Sequence, residues 1–442
     1  MKLRRFFCAL IATVLTTQLL YASPAFAAEE SLPDTGWFDP YNLQDEYVIS
    51  TAEQLMGLAS LTQTQFQGWS YGYSTFEGIK ITLANDIHLE SEWIPVGASQ
   101  SHPFAGTFDG AGYTISNVKI TESDSDDIGI FGYVTGSIEN LNVTGSISSS
   151  GNNSGGIAGT LAGGTIFNCM SEINVSGNCN VGGIAGESVN GTISNCINRG
   201  DITGNMRVGG IVGENRDGKA LKCINEGDIT SNMTGIGTYG TGGICGRSVS
   251  KSAEIRNCHN KGNIFSKNEC AGGIAGYCNP AGSAIIKCTN SGSVEGIESS
   301  GGIAGSTGEN GIIIKGSYNL GKVNGHYSGG ILGKFTGNFY DSVDDYITDN
   351  YYSEVSSTRA VGLDKNSRGK RNYTRSILAK SHSYLESSRI FTQQKVLETG
   401  SGSVLEQIDL FNKHYFVDLF SNGEKNKGDF IRNAAEHLQI IN

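Results

Sequence analysis

Residues 180–205 read NVGGIAGESVNGTISNCINRGDITGN, and residues 207–232 read RVGGIVGENRDGKALKCINEGDITSN. The second stretch begins 27 residues after the first and keeps its glycines, its cysteine and its β-branched positions. Working outward, G-G-I-x-G stands at residues 155–159, 182–186, 209–213, 242–246, 272–276, 301–305 and 329–333, with a relative, IGIFG, at 128–132. Counted on the second glycine, the steps from Gly129 are 27, 27, 27, 33, 30, 29 and 28 residues. Such a drifting period suits coils with turns of variable length.

Further columns line up between these marks. Ile166, Ile193, Ala220, Ile255, Ile285 and Ile314 stand three residues before Cys169, Cys196, Cys223, Cys258, Cys288 and finally Ser317. Two residues beyond the cysteines come Ser171, Asn198, Asn225, Asn260, Asn290 and Asn319, and then Val175, Ile202, Ile229, Ile264, Val294 and Val323. Short β-branched pieces punctuated by Gly and Asn read as strand–turn units. One unit cannot bury its own apolar side, whereas a stack of them can, each strand pairing with its equivalent about 4.8 Å away. The columns become ladders of Ile, Cys and Asn, the Asn amides bonding along the stack where the strand bends. The expected fold is all-β: a right-handed single-stranded parallel β-helix of about ten coils, roughly 50 Å long.

The coil G-G-I-x-G…C-x-N-x-G-x-[IV] resembles the GLUG repeat of bacterial secreted and surface proteins. FAGTFDGAGYTISNVKI at 104–120 is similar to a coil such proteins share with right-handed parallel β-helices, and TAEQLMGLASL at 51–61 to their capping helix. FEGIKITLANDIHL at 76–89 reads as a first coil, WIPVG at 93–97 as its lead-in, and DNYYSEVSSTRAVG at 349–362 as an exit segment. Related repeats occur in adhesins, cell-wall proteins and non-catalytic parts of immunoglobulin A metallopeptidases. The zinc-protease helix H-E-x-x-H is absent here, so the resemblance implies architecture and not that activity.

Residues 1–27 have the pattern of a secretory signal: Lys2, Arg4 and Arg5, then an apolar run, then Ala25-Phe26-Ala27. Residues 28–50 form a lead, 51–353 the β-helix with its cap helix at 51–62, 354–375 a linker carrying Arg368, Lys370, Arg371 and Arg375, and 376–442 a mixed, partly helical segment; residues 363–442 could dock a partner chain. The formal charge of −11 becomes −14 when the three basic residues of the signal leave. Such a chain is not built for nucleic acid or an anionic membrane. Its 62 glycines and 6 prolines exclude collagen, and the regular Ile and Val argue against disorder. The expected location is extracellular, on or near a cell surface, with no span in the mature chain.

The nine cysteines beyond the signal read as buried free thiols in a ladder, with Cys179, Cys245, Cys270 and Cys278 off the column and one pair of them able to bridge. Arg199, Glu226 and Lys261 lie three residues past the cysteine, and Asp201, Asp228 and Asn263 five past it, facing outward by strand alternation. Arg199, Asp201, Glu226 and Asp228 are the candidate catalytic set of a polysaccharide lyase or glycoside hydrolase. The same columns also read as a solvated salt-bridge ladder. No cofactor is required; calcium is the one cation these carboxylates, or the acidic loop with Glu122, Asp124, Asp126 and Asp127, would take. A second charged column, Glu187, Glu214 and Arg247, falls half a coil away. The seven histidines are scattered without ligand spacing. The longest half-coil, 231–243, carries Tyr239, placed to stack on a sugar. The leading expectation is a non-catalytic, adhesin-like rod that binds a glycan or a host or cell surface; the alternative is the carbohydrate-active enzyme.

Overall fold

The computed structural model describes residues 32–63, 75–279, 283–308, 312–336, 347–348, 350–353, 356–357, 359–364 and 377–380. The signal, most of the linker and residues 381–442, with their expected roles, lie outside these. The solenoid belongs to the second of two compact units, Pro33–Asn442.

Every strand-to-strand pairing is parallel, and each strand pairs with its equivalent one coil on. The fold is the all-β parallel solenoid expected, with one helix among the described residues, Ala52–Gln63. Three sheets run along it. The first has 11 strands, the third has nine, and the second is broken by bends into 21 short pieces. The first sheet begins earlier than residue 51, because Glu46–Ile49 already pairs with Lys80–Leu83 ahead of the helix. Thr51 receives the helix, its Oγ1 accepting the Gln54 N–H, while Gln54 Oε1 accepts the Ser50 N–H. These side chains occupy N–H groups that a helix start leaves unpaired.

The core is built from the columns. Ile138, Ile166, Ile193, Ala220, Ile255, Ile285, Ile314 and Ile347 stack in register along the first sheet, each at most 1% exposed. The isoleucines of the glycine marks form a parallel ladder from Ile130 to Ile331, all 0% exposed. Cys169, Cys196, Cys223, Cys258 and Cys288 are buried and reduced, as are the four off-column cysteines. Burial pushes the Cys278 thiol up to about 12 and raises Cys196, Cys245 and Cys258 well above the usual thiol range. These are inert packing groups.

The residue before each ladder cysteine turns the chain between the first and second sheets in the left-handed region: Asn168, Asn195, Lys222, Asn257 and Lys287 all have φ of 54°. Asn tolerates this conformation best after Gly. One bend further, the asparagine ladder closes. Asn198, Asn225, Asn260 and Asn290 each donate Nδ2 to the Oδ1 of the next asparagine at 2.8 Å, ending at Asn319. The same nitrogens donate to the carbonyls of Gly200, Gly227, Gly262 and Gly292 within their own coils.

The second glycine of each mark makes room for this ladder. A Cβ on Gly183, Gly210 or Gly243 would stand 2.2–2.3 Å from the Cγ of Asn198, Asn225 or Asn260. The glycine and asparagine columns are therefore one device. Its first rung is incomplete, because Ser171 precedes Asn198 and leaves Asn198 Oδ1 buried without a donor. Ser171→Asn is expected to supply that donor, since Gly156 stands against it as Gly183 does against Asn198. A gain of about 1 kcal/mol in denaturant unfolding is expected; a loss would mean the first coil cannot accept the amide.

Candidate functional site

Two charged surfaces emerge, and they lie on different faces. On the second sheet, Asp201 and Asp228 are exposed and one coil apart, with their strand neighbours Ile202 and Ile229 buried. Asn174 Oδ1 accepts the Asp201 N–H at 2.9 Å, Asp201 Oδ1 accepts the Asp228 N–H at 2.9 Å, and Asp228 Oδ1 accepts the Asn263 N–H at 2.7 Å. Each carboxylate is thereby tied to the backbone of the next coil. Arg199 bridges Glu172 and Glu226, both at 3.0 Å, and Lys261 reaches Glu226 at 2.7 Å. Burial would raise the Glu226 carboxyl, but Lys261 and Arg199 outweigh it and hold it below the usual range. A general acid needs the opposite shift. This face is a chain of ion pairs and backbone caps.

The third sheet presents the other surface. Its outward column runs Tyr133, Thr160, Glu187, Glu214, Arg247, Tyr277, Ser306 and Lys334, one residue per coil. Onto it fold the bend residues Asp127, Asn153, Asn180 and Arg207, all at φ between 54° and 57°. The last glycine of the repeat mark permits this. A Cβ on Gly159, Gly186, Gly213 or Gly246 would strike the backbone of Asp127, Asn153, Asn180 or Arg207 at 2.2–2.5 Å. The repeat thus lays a line of bend side chains over a line of strand side chains.

The two lines are bonded into one cluster. Asp127 Oδ1 accepts from Thr160 Oγ1 at 2.6 Å and from Asn153 Nδ2 at 2.9 Å. Asn153 Oδ1 accepts from Asn180 Nδ2 at 2.8 Å, and Asn180 Oδ1 from Arg207 Nη1 at 3.1 Å. Arg207 Nη1 also meets Glu214 Oε2 at 2.8 Å, while Arg247 Nη1 meets Glu214 Oε1 at 3.3 Å. Arg216 joins Glu187 at 2.9 Å and Glu214 at 3.5 Å. The Glu214 side chain is 1% exposed, whereas Arg207, Arg247 and Arg216 are 23%, 20% and 50% exposed. A buried carboxylate lies beneath a partly open roof of guanidinium groups.

Burial raises the carboxyls of Asp127 and Glu187, Thr160 and Asn153 offsetting part of it at Asp127 and Arg216 part of it at Glu187. Tyr133 is raised by burial and by these two carboxylates. Perturbed groups gathered on one face are a functional-site signature. The sequence placed Glu187, Glu214 and Arg247 in a column but not Asp127 or Arg207 with them. Their signal was a separate column at the bends, Asn153, Asn180 and Arg207 each standing three residues before the second glycine of the mark.

The remaining candidates are more dispersed. Of the acidic loop, Glu122 and Asp124 stay exposed, Asp126 accepts from the Asn152 N–H at 2.7 Å, and Asp127 turns into the cluster. Among the described residues no group of three His, Cys, Asp or Glu is arranged to hold a metal ion, and no helix is long and apolar enough to cross a membrane. Tyr239 is half-buried within strand Ile229–Gly242, so the inserted stretch is not a projecting loop. That strand absorbs its extra residues as register shifts against Ile264–Gly272.

No family model matches the chain. A segment of 100 residues, 20% of the chain, is 34% identical to Halomucin of Haloquadratum walsbyi, of which it spans 1%. Among solved structures, one from Bacteroides ovatus named as an immunoglobulin A1 protease is similar over 77% of this chain and 86% of that one, at 19% identity and a TM-score of 0.38. Another, an IgA1 protease, is similar over 69% of this chain and 21% of that one, at 14% identity and a TM-score of 0.40. At such scores neither likeness bears on activity.

Proposed function

We propose that the chain is a secreted, non-catalytic solenoid that presents a binding face to a glycan or cell-surface ligand, in the manner of an adhesin. The observation that carries this reading is the cluster on the third sheet. There Arg207, Arg216 and Arg247 are partly open while paired with the buried Glu214, Arg216 also holds the half-buried Glu187, and the half-buried Tyr133 stands further along the same column. A rigid stack of strands holds them, which limits the ordering a ligand must impose. The resemblance of the coils to the GLUG repeat of secreted and surface proteins points the same way.

The electrostatics favour binding over hydrolysis. A glycosidase separates its two carboxyls into one acid and one ionised partner. Here Asp127 and Glu187 are both pushed upward, and Thr160, the strand neighbour of Glu187, donates to Asp127.

The test is to pass purified protein over immobilised neutral and acidic polysaccharides while assaying for released product. Retention without product is the expected result. Release of reducing ends or unsaturated sugars would replace this reading with the enzymatic one, and failure to retain the protein on any polymer would end it.

A further inference from the structure

We infer that Arg207 and Arg247 form the floor of a site for the anionic group of an acidic glycan, and that Glu214 is the residue that positions them. This rests on the glycan-binding reading above and names its ligand class.

The argument begins with donors. A guanidinium carries five N–H donors in a fixed plane. Among the described residues, both side chains donate only through Nη1: Arg207 to Glu214 and Asn180, with Cys179 Sγ at 3.7 Å, and Arg247 to Glu214. The Nε atoms of both are buried with no hydrogen-bond partner. A ligand arriving from solvent cannot reach those buried nitrogens, so the donors left for it are the Nη2 groups, which bond to nothing among the described residues. Two guanidiniums held with spare donors, on either side of one carboxylate, suit a planar or tetrahedral oxyanion above them.

Glu214 explains why the forks stand where they do. Its Oε2 takes Arg207 at 2.8 Å, and its Oε1 takes Arg247 at 3.3 Å with Arg216 further off at 3.5 Å. Arg207 comes from a bend and Arg247 from the strand one coil further on, so no shared backbone element aligns them. The buried carboxylate does.

Charge supplies the next step. Around Glu214 stand three guanidiniums, Arg207, Arg216 and Arg247, against two carboxylates, Glu187 and Glu214 itself. The third carboxylate, Asp127, is engaged at the far end with Thr160 and Asn153. The cluster as a whole is balanced, and its Glu214 end carries one positive charge in excess on a chain of net charge −11. A polyanion would be repelled by the chain as a whole, so capture of one requires a local site.

The shared chemistry is an oxyanion on a sugar, from a uronic or sialic carboxylate or from a sulfate ester. The experiment uses the full secreted chain on immobilised polygalacturonate, dextran sulfate and neutral dextran. Retention on at least one acidic polymer and not on dextran is expected, and which polymer retains it identifies the source. Arg247→Lys keeps a cation on Glu214 but loses the fork, so affinity should fall about tenfold with the thermal midpoint little changed. Glu214→Gln makes that end of the cluster more positive, yet affinity should fall because the forks are released; a rise would remove the positioning role. Arg199→Lys, on the other face, should bind as wild type does.

Binding to dextran alone would overturn the anionic inference while the glycan reading stands. Retention on none of the three polymers would overturn the inference, and if the wider panel also failed, the glycan reading with it. Acidic binding that survives both Arg207→Lys and Arg247→Lys would place the site elsewhere and overturn the assignment.

Discussion

Asn225→Leu is expected to destabilise the solenoid by about 4 kcal/mol. Leucine copies the branching of asparagine at Cγ, so the substitution removes hydrogen bonds with little change in shape. Asn225 is 0% exposed. Its Oδ1 accepts from Asn198, and its Nδ2 donates to Asn260 Oδ1 and to the Gly227 carbonyl, all at 2.8 Å. The change strands one donor and two acceptors inside the stack. Each buried group left without a partner costs about 1–3 kcal/mol. Gly210 stands against the side chain with no spare volume, a Cβ there coming within 2.3 Å of Asn225 Cγ, so water has no place to substitute. Because each coil contacts its neighbours alone, the weakened rung should also divide unfolding into two transitions. Guanidinium unfolding followed by circular dichroism and by tyrosine fluorescence would show both effects. A single transition shifted by less than about 1 kcal/mol would mean that the ladder adds nothing net.

Glu214→Leu should have the next largest effect, a loss of about 3 kcal/mol. The wild-type carboxylate is almost wholly buried and answers Arg207 and Arg247 at 2.8 and 3.3 Å. Without it, two guanidiniums remain side by side and mutually repelled. Removing one partner of a buried ion pair costs about 3–5 kcal/mol, and the lower end applies because both arginines keep some contact with solvent. The double variant Glu214→Leu, Arg247→Met should recover part of the loss, since it removes the repulsion as well as the pair. Thermal unfolding of the four members of that cycle measures the coupling. Equal stability of Glu214→Leu and wild type would show the cluster to be a surface ornament.

The fold was legible because its information is periodic. Ile193, Cys196, Asn198 and Ile202 recur at fixed offsets, and parallel pairing turns each offset into a ladder. The cluster was harder to read because it joins two columns that strand alternation does not relate. Glu214 sits on one strand and Arg207 at a left-handed kink within the preceding strand Met206–Gly209, seven residues earlier in sequence. Only the glycine at 213, by admitting the backbone of Asn180 against it, reveals that bend side chains lie over the strand face. Asp201 and Asp228 were placed correctly outward, but spacing alone could not show that each carboxylate is tied to the next coil's backbone N–H. The start of the first sheet was hidden differently: Glu46–Ile49 lies ahead of the helix, and its partner strand comes after it.

The asparagine ladder has a direction. From Asn198 to Asn290 each Nδ2 points to the following coil, and from Asn225 to Asn319 each Oδ1 receives from the preceding one. An internal tandem duplication of one whole repeat would therefore insert a rung that mates on both sides, donor to acceptor, without altering its neighbours. A duplication of half a repeat would set Cys beside Gly and Asn beside Ile, and no rung would close. Changes in the length of this molecule are thereby quantised: recombination can lengthen or shorten it by complete coils while the ladder still closes.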